Sequence, residues 1–309
     1  MRLIKARELV ETGCISFEEF YNDIPQYAVL SHTWDEKQEV TLQECNHASS
    51  KFKSGYKKVR KTCELALGDD LEYVWVDTCC IDKTSSAELT EAINSMFLWY
   101  QKASACYVHL ADKITGSPLV NCRWFTRGWT LQELIAPGSM TFFSRNWVPI
   151  GTKKGLLKQL ATITRIDMDI LSHNVPVSSA CMAKRLSWAA NRKTTRVEDM
   201  AYCLLGICDI NMPMLYGEGQ AAFRRLQEEI IKSTNDLSLL AWTSANPLEE
   251  EYCGFLAESV RHFASCSEMY SITDSLLDEG EMSISNKGLR LKAKECVTSV
   301  IQATATDMV

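Results

Sequence analysis

The first half of the chain alternates short apolar segments with amphipathic ones, and this alternation constrains the fold more than any other feature. Four apolar runs rich in β-branched and aromatic residues, typical of buried strands, lie at residues 27–31, 73–76, 105–110 and 140–144. Apolar residues at three- and four-residue spacing, typical of helices, occur at 54–67, 85–100 and 122–135. Residues 1–25 form a mixed lead-in. Strands joined by helices require right-handed crossovers, so the sequence predicts an α/β fold with a mostly parallel sheet flanked by helices.

The pattern of the sequence changes at about residue 150 and again at about residue 245, which indicates three regions. Helical periodicity continues to about residue 245 and predicts helices at 156–164, 180–191, 195–208 and 221–233. Thr195 and Glu198 have the spacing of a capping box at the start of the third. The side chains expected to be mostly buried in this region are Trp188, Met200, Tyr202, Leu204, Leu205 and Ile207. Strand-like alternation follows, with a hairpin predicted around the turn at 286–288. The chain ends within such a stretch, which suggests a piece of a longer protein. We therefore expect an α/β domain, a helical extension and a partial α/β C-terminal segment, at 1–150, 151–245 and 246–309.

Composition and charge narrow the class of protein. Apolar residues make up 46% and charged residues 23% of the chain, the balance of a folded globular protein. The net charge of −6 lacks the basic footprint of a nucleic-acid binder. The sequence contains neither an apolar window of about 18 residues, as a bilayer span needs, nor a signal-peptide core at its start. We therefore expect no nucleic-acid partner and no membrane partner.

The thirteen cysteines and five histidines predict neither disulfides nor a metal site. An odd number of cysteines without a signal peptide is typical of reduced thiols packed as small apolar residues, which predicts a cytoplasmic protein. The sequence has no Cys-x-x-Cys pair and its histidines are scattered, so no spacing matches a zinc site. Glycine loops that cradle phosphates are also missing from it. We expect no metal and no cofactor.

Polar side chains follow the first two predicted strands, at the end of a parallel sheet where ligands bind. Ser31 and His32 end the first strand, and they could line a pocket floor or satisfy backbone groups of the loop. Asp77 follows the second strand, and it could bind a ribose hydroxyl or cap the next element. Cys80 as a nucleophile, with His32 or His109 as its base, is a weaker hypothesis because buried cysteines are usually inert.

Trp129 and Glu133 are four residues apart, so they share one face of the predicted helix at 122–135. A carboxylate beside an indole could stabilise a developing cation. A sugar that loses its leaving group passes through such an oxocarbenium-like state. The alternative is that Glu133 is a solvated helix residue and Trp129 a core anchor, since both residue types are common in helices.

Three segments resemble, in order, the signature blocks of the fungal heterokaryon incompatibility (HET) domain: 27–34 (YAVLSHTW), 75–82 (WVDTCCID) and 127–137 (RGWTLQELIAP). Residues 196–202 (RVEDMAY) and 215–219 (LYGEG) resemble the segment that usually follows in HET proteins. The resemblance implies a role in fungal non-self recognition, where the HET domain is the effector of a death reaction after incompatible hyphae fuse. Protein partners are expected through that recognition.

The order of the predicted elements more distantly resembles that of Toll/interleukin receptor (TIR) domains, down to the Trp-x-x-x-Glu helix. This resemblance implies a TIR-like (flavodoxin-like) sheet and cleavage of the nicotinamide–ribose bond of NAD, as in enzymatic TIR domains. Carried over by position, Glu133 is the catalytic residue. The residues expected to line the substrate pocket are Ser31, His32, Trp34, Asp77, Asp82 and Trp129. Self-association is also implied, because a neighbouring copy completes TIR-like sites.

A second hypothesis stays open beside the enzymatic one. The chain could be a non-enzymatic signalling module that triggers cell death by assembling and recruiting protein partners. Trp129 and Glu133 would then be interface or fold residues, and the His-Thr-Trp sequence at 32–34, which differs from the usual TIR loop, would need no nucleotide.

Overall fold

The computed structural model describes residues 1–244, 254–270 and 281–292. Its central sheet consists of β1 (Arg2–Lys5), β2 (Phe17–Glu19), β3 (Tyr27–His32), β4 (Tyr73–Trp75), β5 (Ala105–His109), β6 (Met140–Phe143) and β7 (Pro149–Thr152). The strands lie in the order β2-β1-β4-β3-β5-β6-β7. The four predicted strands are confirmed as β3 to β6, and they pair in parallel.

Three short strands at the two sides of the sheet were not predicted from the sequence. β1, β2 and β7 pair antiparallel there, with β2 and β7 at the edges. Each contains charged residues or, in β7, proline and glycine, so no apolar run marks it, whereas the equally short β4 and β6 lie in mainly apolar runs. The first 25 residues are therefore part of the sheet, and describing them as a mere lead-in was wrong.

The strand order creates a topological switch point at one end of the sheet. β3 has β4 on one side and β5 on the other, so the direction in which the chain adds strands reverses beside β3. In doubly wound sheets this switch point is where ligands bind, outside the carboxyl ends of the strands. His32 at the end of β3 lies next to His109 at the end of β5.

Helices cover both faces of the sheet and form the region that follows it. They are α1 (Ala6–Thr12), α2 (Ser54–Gly68), α3 (Asp77–Cys80), α4 (Ser86–Lys102), α5 (Thr130–Ile135), α6 (Leu157–Thr164), α7 (Met168–Leu171), α8 (Met182–Ser187), α9 (Asp199–Tyr202), α10 (Leu205–Cys208) and α11 (Ala221–Ser233). The predictions for α2, α4, α6 and α11 are confirmed. Ser85 caps α4 by accepting a hydrogen bond from the backbone N–H of Glu88.

The helix predicted over 122–135 is broken in two. A 3₁₀ turn at Arg123–Thr126 precedes α5, and the backbone of Arg127 between them is extended. There the Gly128 N–H donates to the carbonyl of Lys193 at 2.9 Å. A Cβ at residue 128 would lie 2.5 Å from the Thr194 side chain, so the contact with this second chain segment requires glycine. The break is thus caused by a tertiary contact that periodicity does not reveal.

The capping box predicted from Thr195 and Glu198 is also wrong. The Glu198 carboxylate instead accepts the backbone N–H groups of Gly217 and Gly219, at 2.8 and 3.1 Å. Glu198 thus bonds to a distant loop in place of the local partner that was predicted. In place of the single helix predicted at 195–208, the structure has two short helices, α9 and α10. The helix predicted from residue 180 to 191 is likewise shorter, because only α8 is helical there.

The helical extension shares one apolar core with the sheet domain. Of the six side chains predicted to be buried in it, Met200 is partly buried. The other five are buried as predicted: Trp188, Tyr202, Leu204, Leu205 and Ile207. The helices α10 and α4 approach each other closely, since a Cβ at Gly206 would stand 2.1 Å from the Cβ of Phe97.

Replacing Gly206 by alanine is expected to lower the free energy of unfolding by about 1–3 kcal/mol, because the added methyl group overpacks a contact between two helices. Urea denaturation measures the loss. Gly68→Ala is the matched control, since a Cβ there meets nothing within 4 Å and should change stability by less than about 1 kcal/mol. Equal unfolding curves for the two variants would contradict the close approach of α10 to α4.

The hairpin predicted near the C-terminus is confirmed as β8 (Glu281–Ser285) and β9 (Gly288–Lys292). The predicted strand-like stretch after it lies outside the described residues. The eleven cysteines that the structure describes are free, and ten of them are buried. Across the described ranges, no helix is long and apolar enough to cross a membrane, and no group of side chains is arranged to hold a metal ion.

Candidate functional site

The end of β3 sends its polar side chains to opposite faces of the sheet. Side chains alternate along a strand, so Ser31 and His32 point in opposite directions. Ser31 contacts Glu133 of α5, whereas His32 contacts Lys58 of α2. The two residues were expected to line one pocket, and the structure divides them between two polar clusters on either side of the strand.

The first cluster joins Glu133, Ser31 and an unexpected indole. The Ser31 hydroxyl donates to Glu133 Oε2 at 2.5 Å, and the Nε1–H of Trp124 donates to the Ser31 hydroxyl at 2.8 Å. Ser31 and Trp124 are fully buried, and Glu133 is 6% exposed. Tyr100 lies beside them and donates its hydroxyl to the backbone carbonyl of Leu30 at 3.0 Å. The carboxyl group of Glu133 is thus held beneath the surface.

Burial raises the pKa of Glu133 to about 8, and the negative charge of Asp77 adds to the increase. The hydrogen bond from Ser31 and the charges of Arg127 and Arg192 oppose it without cancelling it. Carboxyl groups perturbed in this way by burial and a specific neighbour are concentrated at functional sites. At neutral pH the carboxyl of Glu133 is therefore mostly protonated in the ligand-free protein.

The second cluster lies on the other face of β3 and centres on Asp77, the first residue of α3. Asp77 Oδ1 lies 3.2 Å from His32 Nε2, and Oδ2 accepts the indole N–H of Trp34 at 3.0 Å. Burial favours the neutral form of Asp77. The hydrogen bond from His32, the charge of nearby Lys83 and the indole of Trp34 outweigh it, so the pKa of Asp77 is lowered. Asp77 is therefore ionised next to a neutral Glu133.

Lys58 of α2 bonds to several members of this second cluster and of the loop next to it. Its ammonium group donates to Glu39 Oε1 at 2.6 Å and to the backbone carbonyl of Thr33 at 3.2 Å. It also pairs with Asp35 Oδ2 at 3.0 Å and approaches His32 Nδ1 at 3.5 Å. The side chain is almost completely buried. The last residue of β3 and three residues of the loop after it converge on one amine, which sets the path of that loop.

The rim of the site carries exposed charge and an exposed ring. Arg123 Nη2 donates to the Thr33 hydroxyl at 3.1 Å and pairs with Asp35 at 2.9 Å. Trp34 is 44% exposed, and the Lys83 ammonium lies 3.6 Å from the centre of its ring system. The outer part of the site therefore has a π surface and two cations, while its carboxyl group lies deeper.

The remaining proposed substrate-binding residues have their contacts elsewhere. The side chain of Trp129 is partly buried, and its hydrogen bond to Asp199 helps to hold down the pKa of that carboxyl, which burial raises. Asp82 accepts from the Gln43 amide at 2.7 Å and from the Thr84 backbone N–H at 2.9 Å, as a turn-capping side chain does. The structure thus groups Ser31, His32, Trp34, Asp77 and Glu133 at the switch point, but not these two.

Three contributors to the site were missed from the sequence. The indole that contacts Ser31, the partner of Glu133, is that of Trp124, which lies in the 3₁₀ turn before α5. Lys58 lies on a predicted amphipathic helix, where a lysine is normally expected to be solvated. Arg192 comes from the extension and donates to the carbonyl of Arg127 at 2.9 Å. Only Trp124 lies near a motif, so no sequence signal pointed to the other two.

The structure brings no base to Cys80. The Cys80 thiol accepts the backbone N–H of Val76 at 3.3 Å, and His109 Nε2 bonds to the carbonyl of Arg145. His32 is engaged by Asp77 and Lys58. Burial also lowers the pKa of His109 to about 4. This arrangement gives no support to the hypothesis of a cysteine hydrolase.

The fold and the site together define the class of protein, an α/β domain with a buried carboxyl group at the switch point of a doubly wound sheet. Residues 27–118 match the family model of the heterokaryon incompatibility protein (HET). Vegetative incompatibility protein HET-E-1 of Podospora anserina is 45% identical over 233 aligned residues, in a match that covers 71% of this chain and 17% of that protein. The chain therefore carries a heterokaryon incompatibility (HET) domain, the family that its signature blocks indicated.

The comparisons also set limits on the resemblance. The chain spans about a sixth of the length of HET-E-1. Residues 221–279 match a domain of unknown function (DUF8212). No solved structure matches the chain. The resemblance to TIR domains accordingly stays a prediction.

Proposed function

We propose that the chain is an effector of vegetative incompatibility and that its α/β domain cleaves the nicotinamide–ribose bond of NAD. The incompatibility role is supported by the HET family match and by the 45% identity to a vegetative incompatibility protein. The cleavage is supported mainly by one observation: a carboxyl group with a strongly raised pKa, Glu133, lies at the switch point of the sheet. A TIR-like arrangement of the site is part of the proposal.

In the proposed reaction the bond between ribose C1′ and the pyridinium nitrogen breaks. Its electron pair goes to the ring, which leaves as neutral nicotinamide, and a ribosyl cation forms. Water adds to C1′ and releases a proton, so the products are nicotinamide, ADP-ribose and H⁺. Glu133 in its ionised form stabilises the ribosyl cation. The positive charge of bound NAD favours that ionised form, because an opposite charge nearby lowers the pKa of a carboxyl group.

The other residues position the substrate in this proposal. Ser31 orients the Glu133 carboxylate through its short hydrogen bond. Asp77 contributes negative charge to a cationic substrate and can accept a ribose hydroxyl, while Trp34 offers a stacking surface at the rim. Because Glu133 is buried, the site has to open for a substrate to reach it. Assembly with a second copy or with a protein partner in the cytoplasm is the proposed trigger of that opening.

The test is nicotinamide release from NAD by the wild-type protein and by Glu133→Gln. We expect the variant to lose at least about 100-fold of the rate, the size typical of removing a preorganised electrostatic group. Glu218→Gln is the control. It makes the same change from carboxylate to amide at a residue outside the site, which forms an ion pair with Arg225 of the extension. Wild-type release that Glu133→Gln leaves unchanged would contradict the role of Glu133.

A non-enzymatic module is the competing proposal, and one observation favours it. Glu133 is nearly inaccessible and already hydrogen-bonded to Ser31, as a structural residue would be. Expression of both forms in a fungal host separates the proposals. Cell death that persists with folded Glu133→Gln, together with no nicotinamide release from the wild type, would leave the assembly function and end the enzymatic one.

A further inference from the structure

Trp34 is an exposed indole whose orientation is fixed by a partly buried carboxylate. Its Nε1–H donates to Asp77 Oδ2 at 3.0 Å, while Asp77 Oδ1 faces His32 Nε2 at 3.2 Å. A carboxylate acceptor makes this a charge-assisted hydrogen bond, which is stronger than a neutral one. Such a bond also polarises the indole and increases the electron density of its π face. The ring is thus both held in place and prepared electronically to attract a cation.

A cation already lies over this ring. The Lys83 ammonium is 3.6 Å from the centre of the Trp34 ring system. Within the described ranges Lys83 forms no ion pair, and its side-chain contact there is the one with this indole. Burial lowers the pKa of Lys83, and the negative charges of Asp77 and Glu39 oppose that effect. The contact therefore depends on the π face and on a negative electrostatic environment, not on a specific carboxylate partner.

We propose that the face of Trp34 covered by Lys83 is a subsite for a cationic aromatic ring, and that Lys83 occupies it as an internal competitor. This inference rests on the proposed function, and it specifies which part of the substrate binds where. The nicotinamide ring of NAD is positively charged before the glycosidic bond breaks and neutral afterwards. A cation-binding face therefore prefers the substrate to the released nicotinamide, and Lys83 returns to the ring as the product leaves.

The charge of the ligand ring distinguishes this subsite from a general stacking surface. A neutral aromatic ring stacks on an indole with or without a charge, whereas a cation gains a further two- to fivefold or so in affinity at an exposed site. Lys83 competes with a cationic ring both for space and by charge repulsion. Removing the Lys83 charge should accordingly favour the cationic ligand more than the neutral one.

The test uses two small probes that cannot be cleaved at a ribose bond, cationic 1-methylnicotinamide and neutral nicotinamide. Each is titrated into the ¹⁵N-labelled protein, and the indole N–H signal of Trp34 is followed by NMR; its loss in Trp34→Leu assigns it. We expect 1-methylnicotinamide to bind about two- to fivefold more tightly than nicotinamide to the wild type. Lys83→Met should widen this ratio, and Lys83→Arg should not, because it retains the competing cation.

The affinity of Trp34→Leu is read from the remaining signals, and the preference for the cationic probe should disappear. Equal binding of both probes to Lys83→Met, or a cation preference that persists in Trp34→Leu, would overturn the subsite. Nicotinamide release from NAD is measured separately on the same variants. Cation-selective binding without cleavage would refute the proposed reaction and retain the subsite, whereas cleavage with an unchanged KM in Trp34→Leu would do the reverse.

Discussion

Lys58→Met is expected to lower the free energy of unfolding by about 3–5 kcal/mol. The substitution removes the one amine on which Glu39, Asp35 and the carbonyl of Thr33 converge. Breaking a buried ion pair by deleting one partner costs this much, because the other charge is left in a poorly solvated place. The side chain of Glu39 is only 11% exposed, so water cannot replace the lost ammonium group. Denaturation by guanidinium chloride, followed by circular dichroism, measures the loss.

Lys61→Met on the same helix is the matched control. Lys61 pairs with Glu64 at 3.1 Å, but its side chain is 40% exposed, and such surface pairs contribute at most about 1 kcal/mol. Adding Glu39→Gln to Lys58→Met should restore part of the stability, since it removes the charge left without a partner. A loss for Lys58→Met no larger than for Lys61→Met would show that the Lys58 cluster does not hold the loop after β3.

The stability of the wild-type protein should decrease by a few kcal/mol between about pH 5 and pH 8 through Glu133 alone. Burial raises the pKa of Glu133 to about 8 in the folded protein, above its usual value of 4.5. Between these two pH values the folded state holds a proton that the unfolded state has lost. Folding stability therefore falls as the pH rises through this window, and the contribution is constant below about pH 4.5.

Glu133→Gln isolates this contribution, because the amide keeps the shape of the side chain and cannot ionise. Urea unfolding of both proteins at pH 5.5 and pH 8.5 gives the difference in stability at each pH. We expect the variant to gain on the wild type at pH 8.5 relative to pH 5.5. A difference independent of pH would mean that Glu133 is ionised in the folded protein throughout this range.

The fold was predictable wherever local patterns were long enough to be recognised. The strands β3 to β6 are buried runs of β-branched and aromatic residues, and α4 carries its own cap at Ser85, so both signals are local. The failures have two causes. The strands β1 and β7 are short and lack an apolar run, and Gly128 and Glu198 bond to chain segments far away in the sequence.

The candidate site was predictable only in part. Ser31, Asp77 and Glu133 were chosen because they follow strands or carry a motif, and the structure brings them to one end of the sheet. The separation of Ser31 from His32 depends on which strand face each occupies. The hydrogen bond from Trp124 to Ser31 depends on the break in the predicted helix before α5. Spacing along a predicted helix had favoured Trp129 instead.

By itself, the sequence determined the α/β class, the parallel strands and the presence of a HET domain, because apolar periodicity and signature residues are properties of the chain's local order. The protonation of Glu133, the pairing of Trp34 with Asp77 and Lys83, and the burial of Lys58 were decided only by the tertiary structure. These depend on desolvation and on charges brought within a few ångströms by distant segments. Such quantities come into existence only when the sheet and its loops are packed together.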